Sequence, residues 1–172
     1  RDRVAPFLRG DDGAPEPMVA LMPGSRSGEV RAHWDVFLET AREVRRSVED
    51  ARFVAVRAPT VDPGLLPVPD DLPIEIEDGP AAEVLCRARC ALVASGTATL
   101  EAALCGTPHA VAYRVHPLTY AIGRLLVRGV DRIALSNLVA EAPVAPEFLQ
   151  TLDPQAMAEP LASAKERIRP NV

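Results

Sequence analysis

Short uncharged apolar runs alternate along this chain with longer stretches in which apolar residues recur every three or four positions. Continuous apolar runs are typical of strands that are buried on both faces of a parallel sheet. They predict five strands, and a weaker run predicts a short sixth: residues 18–22, 52–56, 74–77, 90–94, 109–113 and 133–135.

The clearest helical pattern follows Arg26, where a 3.6-residue period places every apolar side chain on one face. Its apolar positions are Val30, Trp34, Phe37, Leu38, Ala41, Val44 and Val48. Further helices are predicted over residues 81–88, 118–128 and from Ser95-Gly96-Thr97 to 104, where Gly106 provides a stop signal. A last helix is predicted from its cap, Asp153, to about residue 169.

Strands that alternate with helices predict the α/β class, with a doubly wound parallel sheet and helices on both faces. Residues 58–73 contain Pro59, Pro63, Pro67, Pro69 and Pro73, which exclude a regular helix and predict an irregular loop. Residues 1–17 are interpreted as the end of a helix followed by a linker, and residues 18–172 as one domain.

Composition and charge narrow the class of protein. Of the 172 residues, 48% are apolar and 25% are charged, as in a globular domain, and the net charge of −5 argues against a nucleic-acid partner. No uncharged stretch is long enough for a membrane-spanning helix, and the first residues do not resemble a signal peptide. The chain starts with Arg1 rather than Met, so we expect it to be part of a longer protein.

Cysteine and histidine spacing predicts no metal site and no cofactor. The three cysteines are expected to be reduced thiols, with Cys86 and Cys90 spaced as if one helical turn apart. His33, His109 and His116 are scattered over different predicted elements, and we expect each to be structural.

Two loops at the carboxyl ends of predicted strands carry candidate chemistry, because ligands of doubly wound sheets bind at those ends. In the first, Gly24 would let a ligand approach the backbone, and Arg26 offers a planar cation suited to phosphate. The alternative is a tight turn with an exposed arginine.

In the second loop, Ser95 or Thr97 is expected to cap a helix whose first-turn N–H groups would bind an anion near Gly96. Glu101 lies one turn further on the same face as Thr97, where a carboxylate can accept hydrogen bonds from a ribose diol. The alternative is an ordinary cap with a solvated glutamate. Neither a Walker loop nor a dinucleotide fingerprint is present.

These residues resemble a known family. The segment Met22-Pro23-Gly24-Ser25-Arg26, followed by Glu29-Val30, is similar to the LLPGSRxxEV segment of bacterial lipid-A-disaccharide synthases. Residues 94–101 (ASGTATLE), 110–114 (AVAYR), 117–120 (PLTY) and 137–140 (NLVA) resemble further segments of that family, in the same order.

The resemblance implies the C-terminal, donor-binding half of a GT-B glycosyltransferase of lipid A biosynthesis. It implies transfer from UDP-2,3-diacylglucosamine to 2,3-diacylglucosamine 1-phosphate with release of UDP. The implied donor site is Gly24, Ser25, Arg26, Ser95, Gly96, Thr97, Glu101, Tyr113, Arg114 and Asn137.

The same resemblance assigns the acceptor site, the membrane-binding surface and the catalytic carboxylate to an N-terminal half outside this chain. No catalytic residue is therefore expected here. It implies a cytoplasmic protein that associates with the inner membrane only peripherally, through that half, and it is compatible with a homodimer.

The chain departs from the family pattern after Asn137. Ser136, Glu141 and Ala142 stand where the family usually has Pro, Gly and Arg. Two alternatives therefore stay open: the corresponding half of an isomerase similar to UDP-N-acetylglucosamine 2-epimerases, and a stand-alone nucleotide-sugar-binding module.

Overall fold

A computed structural model describes residues 16–114, 134–140 and 142–167, with side chains from 18 to 164 within those ranges. Its strands are β1 (Glu16–Met22), β2 (Arg52–Arg57), β3 (Ile74–Asp78), β4 (Ala88–Ala94), β5 (His109–Tyr113) and β6 (Glu147–Leu149). Its α-helices are α1 (Ser27–Ser47), α2 (Ala81–Arg87), α3 (Thr97–Cys105), α4 (Leu135–Val139) and α5 (Pro154–Arg167).

The six strands form one parallel sheet in the order β3-β2-β1-β4-β5-β6. Strand β1 therefore lies between β2 and β4, and the chain order reverses direction across the sheet at that point. This arrangement confirms the predicted doubly wound α/β class.

Both faces of the sheet are covered, which explains why its central strands are apolar at nearly every position. Successive residues of β1 alternate between two cores: Val19 and Leu21 pack toward α1 and α5, and Ala20 and Met22 pack toward α2 and α3. The first core is the larger and includes Trp34 and Phe37 of α1. Burial on both faces therefore selects the continuous apolar runs seen in the sequence.

The proline-rich segment 58–73 is irregular, as predicted, apart from one 3₁₀ turn at Pro63–Leu65. It is fastened to the first core by Trp34, whose indole N–H donates to the carbonyl of Pro67 across 2.9 Å. Val61, Leu66 and Leu72 are buried in that core. The loop is thus part of the packed structure.

Two predicted elements are wrong. Leu135 does not end a sixth strand; it begins the short helix α4, and the sixth strand is Glu147–Leu149. An apolar run of three residues cannot distinguish a strand from a buried helical turn. Cys86 and Cys90 also do not lie one helical turn apart, because α2 ends at Arg87 and Cys90 belongs to β4.

Other boundaries shift slightly. Strand β1 begins at Glu16, inside the predicted linker. The Asp153 carboxylate accepts from the backbone N–H groups of Gln155 and Ala156, which confirms the predicted cap of the last helix. The predictions for residues 1–15 and 118–128 and for His116 lie outside the described residues.

No helix in the described part of the chain combines the length and apolar character needed to cross a membrane.

Candidate functional site

A cleft of about 370 Å³ opens at the carboxyl edge of the sheet, where β1 and β4 end side by side. Strand β1 leads to α1 on one face and β4 leads to α3 on the other, so their loops diverge and leave a crevice. The cleft brings together seven of the predicted site residues: Gly24, Ser25, Arg26, Ser95, Gly96, Thr97 and Glu101.

The first wall of the cleft is the turn between β1 and α1. Gly24 adopts φ +124°, a conformation that side chains rarely tolerate, and a Cβ there would lie 2.6 Å from the Cβ of Glu29. Glycine is therefore required by the internal structure of this turn.

Glu29 organises that wall. Its carboxylate accepts one hydrogen bond from the backbone N–H of Ser25 (3.0 Å) and another from the guanidinium of Arg26 (2.6 Å). The carbonyl of Ser25 in turn accepts from the hydroxyl of Thr60 in the proline-rich segment (2.6 Å). The backbone of the turn is thus held from both sides.

Arg26 itself remains available to a ligand. It is the extended N-cap residue of α1, and 80% of its side-chain surface is exposed despite the contact with Glu29. Because an exposed ion pair contributes little free energy, an incoming phosphate can compete for the guanidinium. Arg26 is the one cationic side chain among the described residues that line the cleft.

The second wall is the turn between β4 and α3, and here the predicted cap is wrong. The N-cap of α3 is Gly96, and neither Ser95 nor Thr97 caps the helix through its side chain. Instead, the hydroxyl of Thr99 donates to the carbonyl of Gly96 (2.8 Å), while Ser95 N–H donates to Ala112 on β5 (2.9 Å). The backbone alone therefore shapes this turn.

Gly96 differs from Gly24 in what surrounds it. Its backbone is extended, and a Cβ at this position would meet no protein atom within 4 Å. Since the protein itself does not exclude a side chain here, the glycine keeps the mouth of α3 open at the cleft. A ligand can thus reach the first N–H groups of α3, which have no partners inside the helix.

Glu101 lines the cleft one turn into α3. Partial burial raises the pKa of its carboxyl group above the ordinary value for glutamate. A half-buried carboxylate that faces a cleft gains from hydroxyl donors, which return the hydrogen bonds lost with water. This environment fits the expectation of a sugar diol at Glu101.

Three predicted residues do not line the cleft: Tyr113, Arg114 and Asn137. Tyr113 and Arg114 lie at the end of β5, and the backbone N–H of Arg114 donates to Nε2 of His33 on α1 (3.2 Å). The described structure therefore places Arg114 beside the base of the first wall, through its backbone.

Asn137 is buried and its amide is engaged within the protein. Its Nδ2 donates to the carbonyl of Ala145 (2.8 Å) and to the carboxylate of Glu147 (2.6 Å), and its Oδ1 accepts from the N–H of Ala145 (2.8 Å). These bonds fasten α4 to the segment that leads into β6. A direct role of Asn137 in ligand binding stays a prediction.

Four residues were missed as parts of the site: Glu29, His33, Thr60 and Leu135. Glu29 and Leu135 line the cleft, while His33 and Thr60 hold its first wall. Glu29 lies inside a quoted motif, so its spacing from Arg26 was a usable signal. Thr60 and Leu135 come from segments whose positions depend on long-range packing, and the local sequence carries no such signal.

The described histidines serve structural contacts. His109 is buried between the carbonyl of Thr107 (3.0 Å) and the hydroxyl of Ser136 (3.1 Å), and burial lowers the pKa of its ring. Within the described ranges, no three histidine, cysteine, aspartate or glutamate side chains are placed to hold a metal ion.

Solved structures with a similar fold are glycosyltransferases. A pneumococcal O-GlcNAc transferase, GtfA, in complex with UDP and GlcNAc superposes with a TM-score of 0.53 at 13% identity, over 95% of this chain and 31% of that one. The glycosyltransferase of kitacinnamycin gives 0.54 at 19% identity, over 92% and 38%. The fold is accordingly the Rossmann-like α/β fold of one half of a GT-B glycosyltransferase.

Sequence relatives identify the family. Residues 12–167 match the family model of lipid-A-disaccharide synthetases. Lipid-A-disaccharide synthases are 41% identical in Pseudomonas entomophila, over 85% of this chain and 40% of that protein, and 41% identical in Pseudomonas aeruginosa, over 94% and 44%. The chain belongs to the lipid-A-disaccharide synthetase family, and it spans about 40% of the length of these curated relatives.

Proposed function

We propose that this chain is the donor-binding half of a UDP-sugar-dependent glycosyltransferase of lipid A biosynthesis. The donor would be UDP-2,3-diacylglucosamine, transferred to 2,3-diacylglucosamine 1-phosphate with release of UDP. The observation that carries the proposal is the convergence of Arg26, Gly96 and Glu101 on one cleft, in a chain of this family.

The cleft suits a nucleoside diphosphate because its two ends differ in charge. The N-termini of α1 and α3 border one region, where helix dipoles and N–H groups favour phosphate oxygens. Glu101 borders another, where its carboxylate would accept hydrogen bonds from the ribose hydroxyls. We therefore assign the diphosphate to residues 24–26 and 95–97, and the ribose to Glu101.

The chemical role that follows is stabilisation of the leaving group. As the bond between sugar and UDP breaks, negative charge develops on the diphosphate, and Arg26 with the tip of α3 would offset it without a divalent metal. We assign the acceptor site and the general base to the part of the family's length that this chain does not span. Holding donor and acceptor together contributes about 7–11 kcal/mol to lowering such a barrier, so we expect no turnover from this chain alone.

Several further assignments belong to the same proposal. Residues 18–172 form the nucleotide-sugar-binding domain and residues 1–17 a linker to the other half. Donor synthesis from UDP sugars places the reaction in the cytoplasm, with membrane association through the other half. A homodimer would be compatible with this arrangement.

Isothermal titration calorimetry with UDP, with and without EDTA, tests the proposal. We expect binding that chelation does not weaken, and a loss of roughly 10- to 100-fold in affinity for Arg26→Ala, as for a hydrogen bond to a charged group. Arg31→Ala is the matched control, since Arg31 is exposed on the same helix and does not line the cleft.

Other results would redirect the proposal. Binding that requires a divalent metal would contradict the assigned phosphate site. Equal losses for Arg26→Ala and Arg31→Ala would show that only net charge matters. Epimerisation of UDP-N-acetylglucosamine by a longer form of the protein would support the isomerase alternative.

A further inference from the structure

Two of the three cysteines approach each other on the side of the sheet that faces α2 and α3. The Cys86 thiol, near the end of α2, donates to the Cys105 sulfur at the end of α3, with 2.7 Å between the two Sγ atoms. Both residues are only partly buried. Their contact joins segments that β4 separates along the chain.

The surrounding packing holds the pair in place. The Cys105 thiol also contacts the carbonyl of Ala82 at 3.7 Å, and the hydroxyl of Thr107 donates to the carbonyl of Leu85 at 2.7 Å. These contacts attach both the last residue of α3 and the turn that follows it to α2. The two sulfurs therefore meet because the helices are packed together, and formation of a bond between them needs no rearrangement of the fold.

We propose that Cys86 and Cys105 form a redox-active dithiol, which a low-molecular-weight disulfide such as oxidised glutathione converts into an intramolecular disulfide. This inference does not rest on the proposed glycosyltransferase function. It replaces the expectation that all three thiols act only as inert, reduced side chains.

The reaction balances as two thiol–disulfide exchanges. The Cys86 thiolate attacks one sulfur of oxidised glutathione, which forms a mixed disulfide and releases one glutathione thiolate. The Cys105 thiolate then attacks the Cys86 sulfur, which forms the Cys86–Cys105 bond and releases the second glutathione. The protein loses two electrons and two protons, and the glutathione disulfide is reduced to two thiols.

The order of attack follows from the environment of Cys105. Burial, the hydrogen bond with Cys86 and the charge of Glu101 raise the pKa of the Cys105 thiol to about 12. A thiol that stays protonated is a weak nucleophile, so Cys86 makes the first attack. Once Cys86 is bonded to glutathione, its hydrogen bond and charge no longer oppose ionisation of Cys105.

Cys90 provides an internal control. It is buried in β4, its thiol contacts the carbonyl of Leu161 at 3.6 Å, and burial raises its pKa to about 12. A buried, protonated thiol without a neighbouring sulfur should be inert in the folded chain. Cys90→Ala should therefore leave the oxidation unchanged.

The test is equilibration of the folded chain with oxidised glutathione, followed by intact-mass analysis and peptide mapping. We expect loss of the mass of two hydrogen atoms and no added glutathione. Trypsin cuts at Arg87 and Arg89, and a glutamate-specific protease cuts after Glu101, so the digest separates all three cysteines. The linked peptides should contain Cys86 and Cys105.

Thermal unfolding gives an independent measurement. A disulfide that closes the segment from residue 86 to 105 should raise the melting midpoint by roughly 4–12 °C. The increase should disappear in Cys86→Ser and Cys105→Ser and persist in Cys90→Ala. A persistent mixed disulfide, a linkage to Cys90, or three unreacted thiols in the folded wild-type chain would overturn the proposal, and none of these readouts depends on a variant.

Discussion

Nε2 of His33 accepts a hydrogen bond from the backbone N–H of Arg114, 3.2 Å away, and so joins helix α1 to the end of strand β5. Because Nε2 is the acceptor, the neutral ring carries its proton on Nδ1, which donates to the carbonyl of Glu29 at 2.7 Å. Glu29 in turn holds Ser25 and Arg26. His33 thus supports the first wall of the cleft in its neutral form.

This arrangement predicts a loss of stability in mild acid. Burial, with a smaller effect from Arg114, lowers the pKa of His33 below 6.5, so the unfolded chain binds a proton more tightly than the folded chain. Stability is therefore complete above 6.5 and falls as the pH drops below that value toward the lowered pKa. Urea unfolding between about pH 7.5 and about pH 5.5 measures the slope.

His33→Gln should flatten that pH dependence and weaken UDP binding, because the support of Glu29 is altered. His109→Gln is the matched control: the pKa of His109 is also lowered by burial, but its ring contacts Thr107 and Ser136 rather than the cleft. It should flatten the pH profile and leave UDP affinity unchanged. Equal UDP affinities in the two variants would contradict the supporting role of His33.

Gly24→Ala should destabilise the chain by about 1–3 kcal/mol, because the new Cβ combines a positive φ with a contact against Glu29. Gly28→Ala is the comparison within the same loop. Gly28 lies in α1 with nothing near its Cβ position, so alanine should be neutral or stabilise the chain by up to about 1 kcal/mol. Denaturant unfolding of both variants distinguishes a strained turn from a general intolerance of this segment.

Gly96→Ala should have the opposite profile: unchanged stability and UDP affinity reduced about 10-fold or more, because only a ligand would meet the added methyl group. Gly106→Ala provides the complementary control. Gly106 ends α3 with φ +72°, so alanine there should cost about 1 kcal/mol of stability and spare UDP binding. If Gly96→Ala binds UDP normally, the diphosphate does not lie at the tip of α3.

Glu101→Gln should separate stability from recognition. Because burial of the ionised carboxylate is unfavourable, the neutral amide should stabilise the chain at neutral pH by less than about 1 kcal/mol, since solvent still screens the partly exposed group. The gain should vanish at acidic pH, where Glu101 is itself protonated.

Glu101→Ala should cost roughly 1.5–3 kcal/mol of UDP binding, as for hydrogen bonds to a charged group. It should also erase the preference for UDP over 2′-deoxy-UDP, as calorimetry with both nucleotides would show. Equal losses for the two nucleotides would place the ribose elsewhere.

The sequence predicted the central strands well because burial on both faces requires apolar residues at every position. The edge strand β6, Glu147–Leu149, was missed because it is short and none of its residues is fully buried. The pairing of the two glycine-containing turns in one cleft was also predictable, since it follows from strand order alone.

Other features of the site depend on contacts between distant segments. The amide of Asn137 reaches Ala145 and Glu147, and the ring of His33 reaches Arg114, in arrangements that no local pattern encodes. The cap of α3 was misassigned for a related reason. Ser95 and Thr97 are good capping residues, but Gly96 occupies the N-cap position once Ser95 N–H is paired with β5.

Helix α5, the last described helix, packs against α1, the first, and places Met157 and Leu161 in the larger core. During synthesis, α1 and β1 are therefore complete long before the residues that cover them. Until α5 emerges from the ribosome, this side of the sheet keeps an apolar surface open to solvent. The order of translation thus delays closure of the core and makes the nascent domain dependent on its final helix.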